Sequence, residues 1–470
     1  MKRIFRMFPR LVLAFSIAAL FTSCKKLIEI PSNPSDKIPT EQAFSDSTNV
    51  LNVLSGIYNN FQIVDYGAAP TFFNGGLSVY TGLSGDELIN RDVSLILYLS
   101  PFYNNSVLPN DGYLSSMWSD AYKVIYTINI SLQSIQESPG VSPHFKQMMT
   151  GELKFMRAWV NFNLVNLFGG IPIITATDFN VNATLPRETQ QKVLESIISD
   201  LEEANSILVA DYPSDGRARP NVYAVKALLA KAYLFTENWQ KAESLASEVI
   251  NSGLYALETD LNNVFLHGST EAIWQYPTEG ASFSQTNEAY TFVPDPFSGD
   301  GVPKFEMTPS LYNAFEPDDN RRLNWTAAQD VNGTIYNYPL KYKNRDVTDG
   351  IMQEDYMFLR LAEQYLIRAE ARARLDLLEV GLEDMNVVRR RAGLADKSLS
   401  GKEALLSDIL DERRVELFCE WANRWFDLKR LNKIDEVMGA KPNWEPTDAL
   451  YPIPLGELQR NPFLTQNPGY

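Results

Sequence analysis

The stretch from Leu405 to Leu431 contains neither proline nor glycine, and its apolar side chains follow a helical spacing. They recur at steps of three, four or seven positions, at Leu406, Leu410, Leu417, Trp421, Trp425 and Leu428. The sequence therefore predicts one long helix with a continuous apolar stripe.

Charged residues follow the same spacing on a neighbouring stripe, at Arg413, Glu416, Glu420 and Arg424. We expect this second stripe to be a solvated row of ion pairs. Because tryptophan side chains need a large apolar partner, the rest of the chain has to supply a substantial core.

Length and composition allow such a core. The chain has 470 residues, of which 45% are hydrophobic and 12% aromatic, enough for one large domain or two intimate ones. Its formal net charge of −16 argues against nucleic-acid binding, since phosphate contacts need lysine and arginine. Only two histidines are present, which argues against a histidine-based metal site or nucleophile. The sequence has no Walker loop, dinucleotide fingerprint or zinc-ligand spacing, so no cofactor is expected.

The N-terminus has the pattern of a targeting segment. Residues 1–10 are basic, residues 11–21 are apolar but too few to span a bilayer, and small residues precede Cys24. This pattern resembles a bacterial lipoprotein signal, in which residues 1–23 are removed and Cys24 receives membrane-anchoring acyl chains such as palmitate. The alternative is an ordinary signal peptide with a chance cysteine. Residues 24–46 contain several prolines and are expected to form a tether, and residues 47–470 form the folded domain.

Amphipathic helices dominate the rest of the chain. Single helices are predicted at residues 47–61, 114–136, 151–168 and 193–208, each with one apolar face. Two helix pairs, at residues 221–254 and 359–394, place small and bulky residues as tetratricopeptide repeats do. We therefore predict a mostly α, tetratricopeptide-like helical-repeat scaffold with long irregular loops and a few short β-strands.

Two irregular segments, residues 65–113 and 278–342, are rich in aromatic residues and interrupted by glycine and proline. Long loops inside a compact protein are usually functional, and a high aromatic content argues against disorder. A flat aromatic ring can receive the apolar face of a sugar, while polar side chains bond its hydroxyl groups. The alternative for each residue is an ordinary half-buried loop position. The predicted ligand contacts are Tyr98, Tyr103, Asn104, Tyr290, Trp325 and Tyr336.

Three other features are expected to be structural. Trp274 lies in a predicted strand at residues 271–277 and should point into the core. The carboxylates of Asp86-Glu87 are adjacent in sequence, whereas glycosidase carboxylates flank the scissile bond, so no catalytic role is expected. The arginine run 389–391 ends a helix, where we expect a solvated face that complements the helix dipole rather than a phosphate site.

Several motifs along the chain occur in an order typical of one known family. The first are a helix pattern of Trp118, Tyr122, Ile125 and Asn129, and the unit Leu167-Phe168-Gly169-Gly170-Ile171-Pro172. Near the C-terminus come Glu412, Arg413, Arg414, Glu416 and Leu417, then Arg424-Trp425-Phe426-Asp427-Leu428 and Arg430. The chain ends with Pro452-Ile453-Pro454 and Gln466-Asn467-Pro468-Gly469-Tyr470. From Cys24 to Tyr470, the chain resembles the SusD/RagB family, which makes residues 47–470 a SusD/RagB-like ligand-binding domain. The family usually has glycine near position 421, and Trp421 in this chain should change the local packing.

The resemblance implies a cell-surface lipoprotein of the outer membrane without enzymatic activity. Such a protein would bind nutrient oligosaccharides and deliver them to a SusC-like TonB-dependent transporter. A peptide-binding member of the same family is one alternative. A surface glycoside hydrolase, which would need a separated carboxylate pair in a groove, is another. Cys24 is followed by Lys25-Lys26 rather than by an acidic pair, so the sequence lacks a clear signal for export to the outer face.

Overall fold

The structure is a computed structural model that describes residues 38–61, 70–91, 96–278, 285–296, 301–345 and 352–470. The predicted signal segment, Cys24 and most of the predicted tether lie outside these described residues. Within the described ranges, no helix is both long and apolar enough to cross a membrane.

Helices make up most of the described chain. The α-helices are α1 (Thr40–Ala43), α2 (Ser47–Tyr58), α3 (Gly76–Ser84), α4 (Ile96–Tyr103), α5 (Gly112–Glu137), α6 (Pro143–Phe168), α7 (Phe179–Asn182), α8 (Gln190–Ile207), α9 (Val222–Phe235), α10 (Trp239–Ile250), α11 (Asn287–Phe292), α12 (Pro309–Tyr312), α13 (Asn320–Trp325), α14 (Leu361–Arg374), α15 (Leu378–Arg391), α16 (Lys402–Glu416), α17 (Asn423–Arg430), α18 (Ile434–Met438) and α19 (Leu455–Arg460). Short 3-10 turns lie at Asn59–Phe61, Asp215–Arg217, Leu261–Asn263 and Pro446–Ala449. The strands are short: β1 (Leu88–Asn90), β2 (Ala272–Pro277), β3 (Phe305–Met307), β4 (Thr326–Val331), β5 (Thr334–Pro339) and β6 (Asp355–Arg360). The predicted fold class is confirmed.

Side-chain caps fix where several helices begin. Backbone N–H groups in the first turns of α2, α5, α6, α8 and α9 donate to the side chains of Asp46, Asp111, Ser142, Thr189 and Asn221. At the other end of α6, Gly169 follows Phe168 with a φ of 71°, a left-handed conformation that favours glycine. The predicted end of this helix at residue 168 is therefore confirmed.

The long helices stack side by side into a repeat-like scaffold. Each packs against the next in the series α5, α6, α8, α9, α10, α14 and α15. The two predicted helix pairs are present as α9 with α10 and α14 with α15, and α10 packs on α14. Ala230 of α9 and Ala246 of α10 are fully buried, so small side chains lie inside this stack, as in tetratricopeptide repeats.

An aromatic cluster joins the stack to the strands. The Trp274 ring stacks on Phe358 with centroids 4.3 Å apart, and Phe358 stacks on Trp421 at 4.7 Å. Trp159 of α6 meets Trp421 edge-on at 5.2 Å. Trp274 is fully buried on β2, which confirms the prediction that it points into the core.

The single long helix predicted for residues 405–431 is wrong. Helix α16 ends at Glu416, and α17 begins only at Asn423. In the intervening turn Cys419, Trp421 and Ala422 have φ values of 52°, 47° and 61°, which ends the helical hydrogen bonding. Tertiary contacts hold this conformation, because Cys419 N donates to Glu87 Oε1 at 3.1 Å and the Trp421 indole donates to the Met357 carbonyl at 2.6 Å.

The charged stripe predicted to be solvated is buried instead. Glu416 is fully buried and accepts hydrogen bonds from Arg321 at 2.9 Å, from Arg360 at 2.5 Å and from Arg391. We call these four residues the Glu416 network. Burial alone would raise the pKa of Glu416, but the guanidinium groups of Arg391, Arg360 and Arg321 hold it well below its usual value.

The arginine run 389–391 was also expected on a solvated face, and this is wrong for two of its three residues. Arg389 is buried and donates to Glu316 at 2.7 Å and to Glu412 at 3.2 Å. The Arg391 side chain is buried in the Glu416 network. Only Arg390 of this run lies exposed, where it pairs with Glu383. The ion pairs of Arg389 with Glu412 and of Arg391 with Glu416 therefore join α15 to α16 inside the protein.

Candidate functional site

A short antiparallel sheet brings the two aromatic segments together. Strand β1 comes from the first segment and β3 from the second, with Leu88 opposite Met307 and Asn90 opposite Phe305. Beyond the sheet, Arg91 N donates to the Lys304 carbonyl at 2.8 Å. Helix α4 packs against β1, and β5 packs against β3. Predicted contacts that are distant in sequence are therefore attached to one small sheet.

Two of the predicted tyrosines lie beside cations at this sheet. The Arg91 guanidinium lies 5.7 Å from the Tyr336 ring centroid, and Arg91 pairs with Glu306 at 2.8 Å. Lys304 Nζ lies 4.9 Å from the Tyr290 ring centroid. The buried Arg345 guanidinium lies 4.7 Å from the same centroid. We call Tyr290, Tyr336 and these three cations the Tyr290–Tyr336 cluster. The cluster therefore places aromatic rings and cationic side chains side by side.

The other predicted contacts lie on and just after α4, and we call Tyr98, Tyr103 and Asn104 the Tyr98 platform. Tyr98 is 58% exposed, and its ring meets the ring of Tyr113 edge-on with centroids 6.1 Å apart. Tyr103 is half-buried, and Asn104 is exposed. Leu99 and Phe102, one turn apart on the same helix, are fully buried. They anchor α4 in the core, while the Tyr98 ring of that helix faces solvent.

Lys441 supports this platform and was not identified from the sequence. Its Nζ lies 5.2 Å from the Tyr103 ring centroid and donates to the carbonyls of Leu83, Ser84 and Gly85 at 2.6, 3.0 and 3.1 Å. These carbonyls end α3, where a cation is favoured by the helix dipole. Burial lowers the pKa of Lys441 to about 8. Lys441 lies 338 residues from Tyr103 in the chain, so no local sequence pattern indicates that the two side chains meet. Arg91 and Lys304, in contrast, are basic residues within or next to the aromatic segments of an acidic chain, and this pattern could have identified them.

The prediction that Trp325 contacts ligand is wrong. Its side chain is 0% exposed, and its indole N–H donates to the Leu261 carbonyl at 2.9 Å. Buried cations lie over its ring, with Lys341 Nζ at 4.9 Å and the Arg391 guanidinium at 5.3 Å from the centroid. Trp325 thus packs on the Glu416 network, where no ligand can reach it.

The carboxylates of Asp86 and Glu87 are also used inside the fold. Asp86 accepts hydrogen bonds from Arg424 at 3.0 and 2.9 Å and pairs with Arg414 at 2.7 Å. Burial would raise the pKa of Asp86, but Arg424 and Arg414 lower it below its usual value. Burial and the neighbouring Asp86 raise the pKa of Glu87 to about 7. Among the residues that the structure describes, no group of three or more His, Cys, Asp or Glu residues could hold a metal ion.

Comparison with known proteins points to one family. A family model described as SusD-like, starch-binding and associating with the outer membrane matches residues 79–234. The SusD/RagB family model matches residues 324–470. SusD-like protein P2 of Formosa agariphila is 27% identical over an alignment that covers 94% of this chain and 96% of that protein.

Solved structures agree on the fold. A SusD superfamily protein from Bacteroides vulgatus superposes with a TM-score of 0.78 at 21% identity, covering 91% of this chain and 100% of that chain. A laminarin-binding SusD-like protein superposes with a TM-score of 0.77 at 24% identity, covering 91% and 100% of the two chains. The overall fold is therefore shared with these proteins.

Proposed function

Since this chain belongs to the SusD/RagB family, we propose that it binds nutrient oligosaccharides through the Tyr98 platform and the Tyr290–Tyr336 cluster. The support from the molecule is the β1–β3 pairing, which attaches both groups to one small sheet. The exposed ring of Tyr98 and the half-buried rings of Tyr103, Tyr290 and Tyr336, all on a rigid scaffold, suit the apolar faces of sugars. Arg91, Lys304 and Asn104 add hydrogen-bonding groups beside those rings.

In this proposal the protein is a lipoprotein of the outer membrane that faces the cell exterior. Cys24 carries the acyl chains, and residues 25–46 connect the lipid to the folded domain. The bound oligosaccharide passes to a SusC-like TonB-dependent transporter without cleavage. Asp86 and Glu87 accept hydrogen bonds from Arg424 and from Cys419 N inside the fold, which is consistent with binding rather than bond breaking.

The test is retention on polysaccharide gels followed by titration calorimetry. A panel of laminarin, starch, xylan and pectin should retain the wild-type protein on at least one gel. Tyr98→Ala should weaken that binding by more than about 1 kcal/mol, since an exposed stacking ring is removed. Tyr126→Ala is the matched control, because Tyr126 is an exposed tyrosine of α5 outside both groups.

Circular dichroism should be unchanged in both variants, because neither side chain is buried. Equal binding by Tyr98→Ala and wild type would reject the Tyr98 platform. Release of shortened glycan after long incubation with the purified protein would reject binding without catalysis.

A further inference from the structure

A separate groove of about 330 Å³ lies on another part of the molecule. It is formed between α5, α7 and α19, and its wall includes Trp118, Tyr122, Phe179, Asn182, Glu457 and Arg460. None of these residues belongs to the Tyr98 platform or to the Tyr290–Tyr336 cluster. The volume falls at the lower end of the range of about 300–1,000 Å³ found for small-molecule sites.

The apolar part of the groove is rigid. The rings of Trp118 and Tyr122 pack with centroids 4.8 Å apart, and Phe168 meets Trp118 edge-on at 4.9 Å. The Tyr122 hydroxyl donates to the Pro172 carbonyl at 3.1 Å, which fixes the orientation of that ring. A floor of this kind keeps its shape when a ligand enters.

A large aromatic side chain stands exposed at the rim. Phe179 is 79% exposed at the first position of α7. The Asp178 side chain caps this helical turn by accepting from Asn180 N at 2.8 Å and from Val181 N at 3.3 Å. The capped turn therefore holds the Phe179 backbone in place while the ring is exposed to solvent. The ring lies next to the groove, which could hold a ligand stacked on it.

Polar groups complete the wall. Glu457 and Arg460 form an ion pair at 2.6 Å at the groove mouth. Asn182 Nδ2 donates to the Ala176 carbonyl at 2.9 Å, while Asn182 Oδ1 is buried and accepts no hydrogen bond from the described part of the chain. Asn182 Oδ1 has no exposed surface, so the Glu457 carboxylate and the Arg460 guanidinium are the polar groups that a sugar hydroxyl can reach.

We propose that this groove is a second saccharide-binding subsite for the same glycan chain. The proposal rests on the proposed oligosaccharide-binding function. The exposed Phe179 ring and the Glu457–Arg460 carboxylate–guanidinium pair match the apolar faces and hydroxyl groups of a sugar better than an all-apolar protein segment. The groove is also connected to the first site, because Leu455 N of α19 donates at 2.7 Å to the carbonyl of Pro109, which follows the Tyr98 platform in the chain.

Two subsites for one glycan chain predict that affinity depends on glycan length. A short oligosaccharide occupies only one subsite, whereas a long one engages both and gains affinity through the high effective concentration of its second end. Phe179→Ala and Arg460→Ala should therefore weaken the binding of long oligosaccharides about tenfold or more, and leave the binding of short ones at the Tyr98 platform unchanged.

The experiment is calorimetry with size-fractionated oligosaccharides prepared from whichever of laminarin, starch, xylan or pectin retains the wild-type protein. Phe463→Ala and Arg390→Ala are the matched controls. Phe463 is exposed outside the groove, and Arg390 is an exposed ion-paired arginine of α15. Because all four side chains are exposed, melting temperatures should agree with the wild type.

Each outcome decides the proposal. Loss of affinity for long oligosaccharides in the groove variants alone supports the second subsite. Unchanged binding in these variants, with a loss in Tyr98→Ala, overturns the subsite and leaves the proposed function standing. If Phe179→Ala instead releases the protein from a co-purifying transporter and leaves glycan binding intact, the groove is a protein interface and the proposal is wrong. Failure of every polysaccharide to bind the wild type overturns the proposed function and the subsite together.

Discussion

Replacing Glu416 by glutamine should destabilise the protein more than any exposed ion-pair substitution. The variant keeps the shape of the side chain but removes the negative charge that faces Arg321, Arg360 and Arg391. The three guanidinium groups then remain buried with one fewer negative charge to neutralise them. Removing one partner of a buried ion pair typically costs about 3–5 kcal/mol.

The melting temperature translates this free energy into an observable. Unfolding entropy is about 2 cal/mol/K per residue, so a chain of 470 residues has an unfolding entropy of about 1 kcal/mol/K. A loss of about 3–5 kcal/mol should therefore lower Tm by about 3–5 °C in differential scanning calorimetry. Glu383→Gln is the control, because Glu383 pairs with Arg390 in solvent and is worth at most about 1 kcal/mol.

The same comparison has a defined pH dependence. The folded-state pKa of Glu416 lies below its unfolded value of 4.5, so the unfolded chain binds more protons in that range. The charge therefore stabilises the fold above about pH 4.5, and this contribution is lost progressively as the pH falls further. The gap between wild type and Glu416→Gln should narrow in acid. Equal melting of Glu416→Gln and Glu383→Gln at neutral pH would refute a stabilising role for the Glu416 network.

Three further outcomes are expected. Cys24→Ala should leave the domain folded but release it from membranes; a membrane-bound variant in cell fractionation without the transporter would contradict the lipid anchor. Ala246→Leu should overpack the helix stack and cost about 1–3 kcal/mol in denaturant unfolding, whereas Gln240→Leu on the exposed side of α10 should not. Burial raises the pKa of Glu288 to about 8 even though the Tyr356 hydroxyl bonds the carboxylate, so stability should fall as the pH rises from about 5 to 8. Glu288→Gln should make the melting temperature less dependent on pH in this range. If Tm depends on pH equally in the variant and the wild type, Glu288 is not a buried, protonated carboxyl group.

The helical scaffold could be predicted because its signals are local. The pairs α9–α10 and α14–α15 follow the 3.6-residue period, and Gly169 marks a helix end that any sequence reading can recognise. Trp274 was placed correctly because a short apolar strand in a helical protein has to be covered on both faces.

The break between α16 and α17 could not be predicted from local rules. Residues 417–422 contain no glycine or proline, and Trp421 has a φ of 47° only because partners distant in sequence hold it there. The Ser78 hydroxyl accepts from Trp421 N at 3.3 Å, and Glu87 accepts from Cys419 N.

The exposure of the candidate site residues could not be predicted from the sequence, because burial depends on the assembled fold. Trp325 and Tyr98 are both aromatic residues of irregular segments, yet one is fully buried and the other more than half exposed. The difference comes from Lys341 and Arg391, which cover the Trp325 ring from other parts of the chain. For the same reason the sequence predicts a solvated Glu416, whereas its arginine partners from distant parts of the chain allow it to be buried.

The β1–β3 pairing also sets the order in which the molecule can mature. The ion pair beside it joins Arg91 to Glu306 across 215 residues of chain. Closing so long a loop costs conformational entropy, and non-local pairings of this kind tend to limit folding rates. Neighbouring helices such as α9 and α10 can form as soon as they are synthesised, whereas β1 has to wait for β3. A partly completed chain would thus possess much of its helical stack while the β1–β3 sheet, which joins the two segments of the proposed ligand contacts, is still unassembled.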